Sequence, residues 1–341
     1  MTPDLKLILN EDDGTQIEIM VFHQVMINAS PVFEAMLGPR KFAEGERLNQ
    51  DKFLELPLPD DDPHAMRLLC DIFHMQNQKV KSAAITPDLL DSIATLVDKY
   101  DLARAIHPWP LIWLNLPDIR KCIERQDKPQ DLISDQDLLR WIHISCHLGY
   151  SVTFGKMTSY LSARLTLEHL NQPSFADSFA KLPARLQDQM RANREKSVNA
   201  FRHACMGLVN ELEHSPTCSK TEDDYEDEDG LVFHCNSILL GNAIVALRES
   251  FGPDWRSAEA WNGSVTEIHK KMKTFASSLC GPTKLRARKV DEPYLAYRYD
   301  HRACGNTKFS YDVANLFRDA TEDFRAKFKD FGNPFYQNRG K

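Results

Sequence analysis

Apolar and polar residues alternate through "DLKLILNEDDGTQIEIMVF", residues 4–22, on both sides of Asp12-Asp13-Gly14. A period of two sends every second side chain to one face, so the pattern predicts two strands joined by a tight turn. A third strand is predicted in "KFLELPLP", with Phe53, Leu56 and Leu58 facing inward and the prolines placing it at an edge or ending it early. Between these strands, "VFHQVMINASPVFEAMLG" changes to helical spacing but breaks at Ser30-Pro31. The residue before a proline is pushed out of the α region, whereas proline itself suits a first helical turn. Two short helices meeting at a corner are therefore expected, with the Ser30 hydroxyl capping the second and Glu34 one place past capping-box spacing. Gly38 and Pro39 then mark a surface connection, kept soluble by Glu44 and Glu46.

Helical patterns dominate the rest of the chain. After "PDDDP", Asp60, Asp61 and Asp62 are placed to cap a helix that opens at Pro63 and buries Met66, Leu69, Cys70 and Phe73. Thr86 and Pro87 open the next helix, whose buried stripe is Leu89, Leu90, Ile93, Leu96, Val97 and Tyr100. Beyond "HPWP" come longer amphipathic segments, "DQDLLRWIHISCHLGY" and "GKMTSYLSARLTLEHL". The run "TEDDYEDEDG", Thr221 to Gly230, is too charged to pack and is expected to be a solvated loop. No repeat of solenoid or propeller length is present. The fold class expected is α+β, a small sheet with a helical cluster followed by a mainly α-helical region.

Length and charge narrow the function. A chain of 341 residues with 42% hydrophobic content exceeds one usual domain, and two are expected. The net charge of −7 argues against a general polyanion binder, and no specific nucleic acid is expected as a partner. The basic segments "KLRARKV" and "FRAKFKDFGNPFYQNRGK" are mixed with acids and read as solvated surface. The opening "MTPDLKLILN" lacks a basic leader with a long apolar core, and no run of about 18 apolar residues occurs. No membrane partner is expected, and the expected location is intracellular, nucleus or cytoplasm.

The chemistry-bearing residues form no strong motif. Eight cysteines without a CxxC pair suggest reduced thiols. His203, Cys205, His214, Cys218, His234, Cys235, Cys280, His301 and Cys304 raise a zinc question, with His301 and Cys304 the compact pair and Cys218, Cys235 and Cys280 able to complete a tetrahedral set if folding gathers them. Buried cysteine as a small hydrophobe is the competing reading. There is no glycine-rich phosphate loop, GxSxG elbow or HExxH helix. Adjacent Cys146 and His147 point about 100° apart on a helix and so make no nucleophile and base pair. An enzyme is not expected, nor a cofactor. A metal-dependent enzyme would require the cysteines to converge around an open pocket.

The ordered pieces "PDLKLIL", "VFHQVMINASPVFEAML", "KFAEGE", "LELPLPDDDPHAMRLLCDIFH" and "LVDKYDLARAIHPW" resemble the BTB/POZ domain from about Asp4 to Trp109. "PDDDPHAM" and "VDKYD" are most similar to the fungal branch, with Val97 where alanine is more usual. The resemblance implies a BTB/POZ-like domain over residues 1–114; helical patterning and the acidic run lead to the expectation of a mainly helical region over 115–341, with a disordered acidic loop near 217–230. The resemblance also implies that His23 begins the first helix of a helical pair and that Val32, Phe33 and Met36 serve the core or a dimer face; its position between strand and helix makes His23 a partly buried, hydrogen-bonded structural histidine in expectation. Val25, Met26 and Val32 are accordingly expected to contribute to a homodimer. A hydrophobic-x-Glu element that contacts cullin in related proteins corresponds to Phe42 and Glu44; the competing reading folds Phe42 back onto the domain and leaves Glu44 solvated. The expected function is a self-associating interaction adaptor that recruits a cullin-type ubiquitin ligase to an unidentified client protein. The alternative is a scaffold or transcription-linked regulator without cullin binding.

Overall fold

Leu5–Asn10 (β1) and Gln16–Val21 (β2) form the expected antiparallel hairpin, with Leu5 opposite Val21 and Asn10 opposite Gln16. The structure is a computed structural model describing residues 2–11, 13–39, 42–126, 134–214, 231–279, 285–288, 296–299, 313–315 and 318. Gly14 takes a φ of +84°, which glycine adopts without a Cβ clash, and donates its N–H to the Glu11 carbonyl at 2.9 Å. Leu54–Pro57 (β3) pairs parallel to β1, giving the order β2-β1-β3. Its proline-marked place is an edge of this sheet.

The pleat separates two environments. Leu5, Leu7 and Leu9 are fully buried on one face, together with Ile19, Leu54 and Leu56. On the other, Lys6 lies 3.2 Å from Glu18 and 2.5 Å from Glu55, linking all three strands. Phe53 corrects the expected strand pattern: it is 39% exposed, because the inward set is Leu54, Leu56 and Leu58. An inward Phe53 would be out of phase with Leu56 and Leu58 in a period of two.

His23–Ala29 (α1) and Pro31–Leu37 (α2) meet at the Ser30-Pro31 corner. Ala43–Asp51 (α3) is a helix where glycine and proline predicted a surface connection. Pro63–Phe73 (α4) is capped by Asp62, whose side chain accepts the Ala65 N–H at 2.8 Å and the Ser92 hydroxyl at 2.9 Å. Asn77–Ser82 (α5) leads to Pro87–Tyr100 (α6), which is capped by Thr86 and buries Leu90, Ile93, Leu96, Val97 and Tyr100. Trp109–Leu114 (α7), Pro117–Gln126 (α8), Asp135–Leu148 (α9) and Ser151–Arg164 (α10) follow. The first compact unit runs through Thr158 and the second begins at Ser159. The first continues past residue 114 because α9, buried nearly all round, packs on α6.

The second unit includes Leu167–Asn171 (α11), Pro173–Ala180 (α12), Ala184–His214 (α13), Leu231–Phe251 (α14) and Val265–Ser278 (α15). Phe201, Leu247, Trp255, Trp261, Met272 and Phe275 lie in one apolar cluster at its centre. Arg194 is also buried; it donates from Nε to the Leu165 carbonyl at 3.0 Å and from Nη2 to Asn262 and Gly263 carbonyls at 2.8 and 3.0 Å. These bonds satisfy a charge that would otherwise be costly to bury. Leu285–Arg288 (β4) pairs antiparallel with Ala296–Tyr299 (β5). The chain is thus α+β and mostly helical. Among the described residues, no helix is long and apolar enough to cross a membrane.

Candidate protein-interaction site

The α1–α2 corner is assembled from contacts distant in sequence. The His23 N–H donates to Asp4 Oδ1 at 2.9 Å, and its Nδ1 lies 2.7 Å from Asp4 Oδ2, so the residue that leads into β1 fixes the start of α1. Burial pushes the Asp4 carboxyl up, but the His23 backbone and ring outweigh it and hold the group below the usual carboxylate range. His23 therefore has the partly buried, hydrogen-bonded position expected of it. Ser30 Oγ accepts the Phe33 N–H at 3.1 Å and donates to the Tyr100 carbonyl at 2.6 Å. Phe33 is fully buried and stacks on Tyr100 with ring centroids 4.6 Å apart.

The five residues expected to meet partners are placed differently from one another. Met26 is fully buried within its own unit and is a core residue in this chain, which corrects its expected place on a dimer face. Val25 and Val32 each keep part of their surface. Phe42 occupies the N-cap position of α3 and is 56% exposed, an aromatic ring left largely in water. Glu44 is half-buried in the first turn of α3, where carboxylates complement the helix dipole, and Glu46 stands beside it. The structure places Phe42 at the N-cap and Glu44 in the first turn of the same short helix, with Val25 and Val32 on the two preceding helices.

Two clefts open on the first unit, and only the first adjoins these elements. One of about 340 Å³ is lined by Asp4, His23, Leu37, Pro39, Gly45, Leu48, Asn49 and Lys52. Another of about 450 Å³ lies among α4, α5 and the start of α6, with Leu68 and Leu89 in its lining. Most of its polar groups are already engaged: Asp71 lies 3.6 Å from Lys79, Asp88 lies 2.9 Å from Arg140, and Asp62 caps α4. Gly45 was not singled out from sequence; its signal is the Phe42, Gly45, Leu48 spacing of three on a helix face, masked by the preceding Gly38-Pro39.

Three of the described thiols, Cys70, Cys146 and Cys205, are buried and poorly placed for chemistry. Burial pushes Cys70 and Cys146 each up to about 12, leaving little thiolate at neutral pH. His147 Nδ1 faces Asp98 at 3.3 Å, and Cys146 next to it is buried. Cys205 lies in the core against Met272, at 3.3 Å between sulfurs. Cys218, Cys280, His301 and Cys304 lie outside the described residues, as does the acidic run, and so do the side chains of His234 and Cys235. Among the described residues, no group of three or more His, Cys, Asp or Glu is gathered as a metal site. No family model and no curated protein matches the chain.

Proposed function

We propose that the chain is a BTB/POZ-type interaction adaptor whose α3 edge binds a cullin-type ubiquitin-ligase scaffold while another part engages a client protein. The observation that carries the reading is Phe42, more than half exposed at the start of a helix with an acidic first turn. An aromatic ring left in water is a ready anchor, since aromatic residues concentrate interface energy when they enter a partner's pocket. Support also comes from the order hairpin, helical corner, parallel third strand and helices, in which the quoted BTB-like segments fall.

The test is titration of the full chain and its Phe42→Ala variant with a cullin N-terminal domain. The substitution is expected to weaken binding by about 1–3 kcal/mol, as for a buried interface aromatic, and to leave thermal stability nearly unchanged. A large fall in melting temperature would make Phe42 a core residue. A parent chain that binds no cullin would turn the reading to the scaffold or transcription-linked regulator.

A further inference from the structure

Gly45 is the third residue of α3, in its first turn, and glycine is a weak helix former. Its φ is not left-handed, so conformational freedom does not account for it. Close approach does: a Cβ at position 45 would lie 2.3 Å from the Gly38 carbonyl oxygen and 3.1 Å from the carbonyl carbons of Gly38 and Leu37. These are backbone atoms, which cannot rotate away as a side chain can. Gly38 caps the C-terminus of α2, and a Cβ there would in turn lie 2.5 Å from the Glu34 carbonyl oxygen. Buried Leu48, three residues after Gly45, fastens the same face of α3.

Phe42 is coupled to this junction. Its carbonyl accepts the Glu46 N–H at 3.2 Å, so the residue turns with α3. We infer that Gly45 is a positioning residue for the Phe42 edge: its contact with the Gly38 backbone sets the direction in which α3 leaves α2, and so where the aromatic ring is presented. The functional meaning of this placement rests on the adaptor reading; the placement itself does not.

The experiment uses the full chain with 4-cyanophenylalanine at position 42, whose nitrile stretch reports the hydration of the ring. Gly45→Ala is expected to move the band away from its parent position and, in the unlabelled chain, to weaken cullin binding by about tenfold. Gly38→Ala disturbs the same junction from the α2 side and should move the band too, whereas Gln50→Ala, exposed at the far end of α3, should move neither readout. An unmoved band in folded Gly45→Ala overturns the proposal. So does failure of both glycine variants to fold, since the contact would then determine folding rather than placement. If Phe42→Ala leaves binding intact, or the parent does not bind, the adaptor reading fails while the band still decides on Gly45.

Discussion

Ser30 shows how one hydroxyl serves two parts of the molecule. Its lone pair caps α2 and its proton goes to the Tyr100 carbonyl, 70 positions away, with the side chain almost wholly buried. Ser30→Ala removes a cap and leaves a buried carbonyl without this donor, so a loss of about 2–3 kcal/mol is expected. Urea unfolding of the parent and variant measures it, and a change below about 0.5 kcal/mol, the scale of an ordinary surface substitution, would refute the argument. The cap was legible from Ser30-Pro31, because capping is local. Its second partner was not, since nothing near Ser30 specifies Tyr100. The Asp60, Asp61 and Asp62 run shows the same limit. Asp62 caps α4 as expected, but Asp61 is buried and accepts from Lys99 Nζ at 2.6 Å and the Tyr100 hydroxyl at 2.5 Å. Acidic spacing alone does not distinguish a cap from a tertiary tie.

At the scale of elements, α9 meets α6 through three acid–base pairs. Asp88 lies 2.9 Å from Arg140, Asp91 2.8 Å from His143 and Asp98 3.3 Å from His147. Asp88 is largely exposed, so its pair adds little to stability. The histidines matter more: their rings meet edge to face with centroids 4.9 Å apart, and His147 Nε2 is buried with no hydrogen-bond partner among the described residues. Burial first, then His143, lowers the His147 pKa from the ordinary 6.5 to about 4, against the pull of Asp98 and Asp91. The unfolded chain therefore takes up a proton that the folded chain refuses. Stability conferred by neutral His147 is complete above about pH 6.5 and falls as pH drops toward 4, by on the order of 3 kcal/mol over that window. His147→Leu should flatten the dependence, and urea midpoints at pH 7 and pH 5 provide the comparison. Equal pH slopes in parent and variant would contradict it. Helical spacing made α6 and α9 legible, but a buried histidine among apolar residues looks the same in sequence as an exposed one. The α3 helix was missed for the opposite reason: Gly38-Pro39 and Gly45 read as loop signals, and the close packing that gives Gly45 its place is a tertiary fact.

At the scale of the whole molecule, the two units call for different arguments. Alternation, caps and ordered motifs made much of the first legible, whereas the second draws its core from helices with less distinctive patterns, such as α13 and α14. The prediction at this scale is self-association through the first unit. Val25 on α1 and Val32 on α2 are half-buried, and Met20 on β2 is 48% exposed, so apolar surface remains on three consecutive elements after that unit has formed its own core. A stable symmetric interface buries roughly 800 Å² per partner and needs such surface near its centre. Sedimentation of the full chain at micromolar concentration should show a dimer. Val25→Glu with Val32→Glu should give a monomer of nearly parental thermal stability, because both positions can turn a carboxylate toward water. Met26→Glu, by contrast, should cost stability outright, since it places a charge in the core without a partner. This contrast separates interface from core on adjacent residues. A parent chain that sediments as a clean monomer, or a Val25 and Val32 double variant that remains dimeric, would remove this face as the site of association.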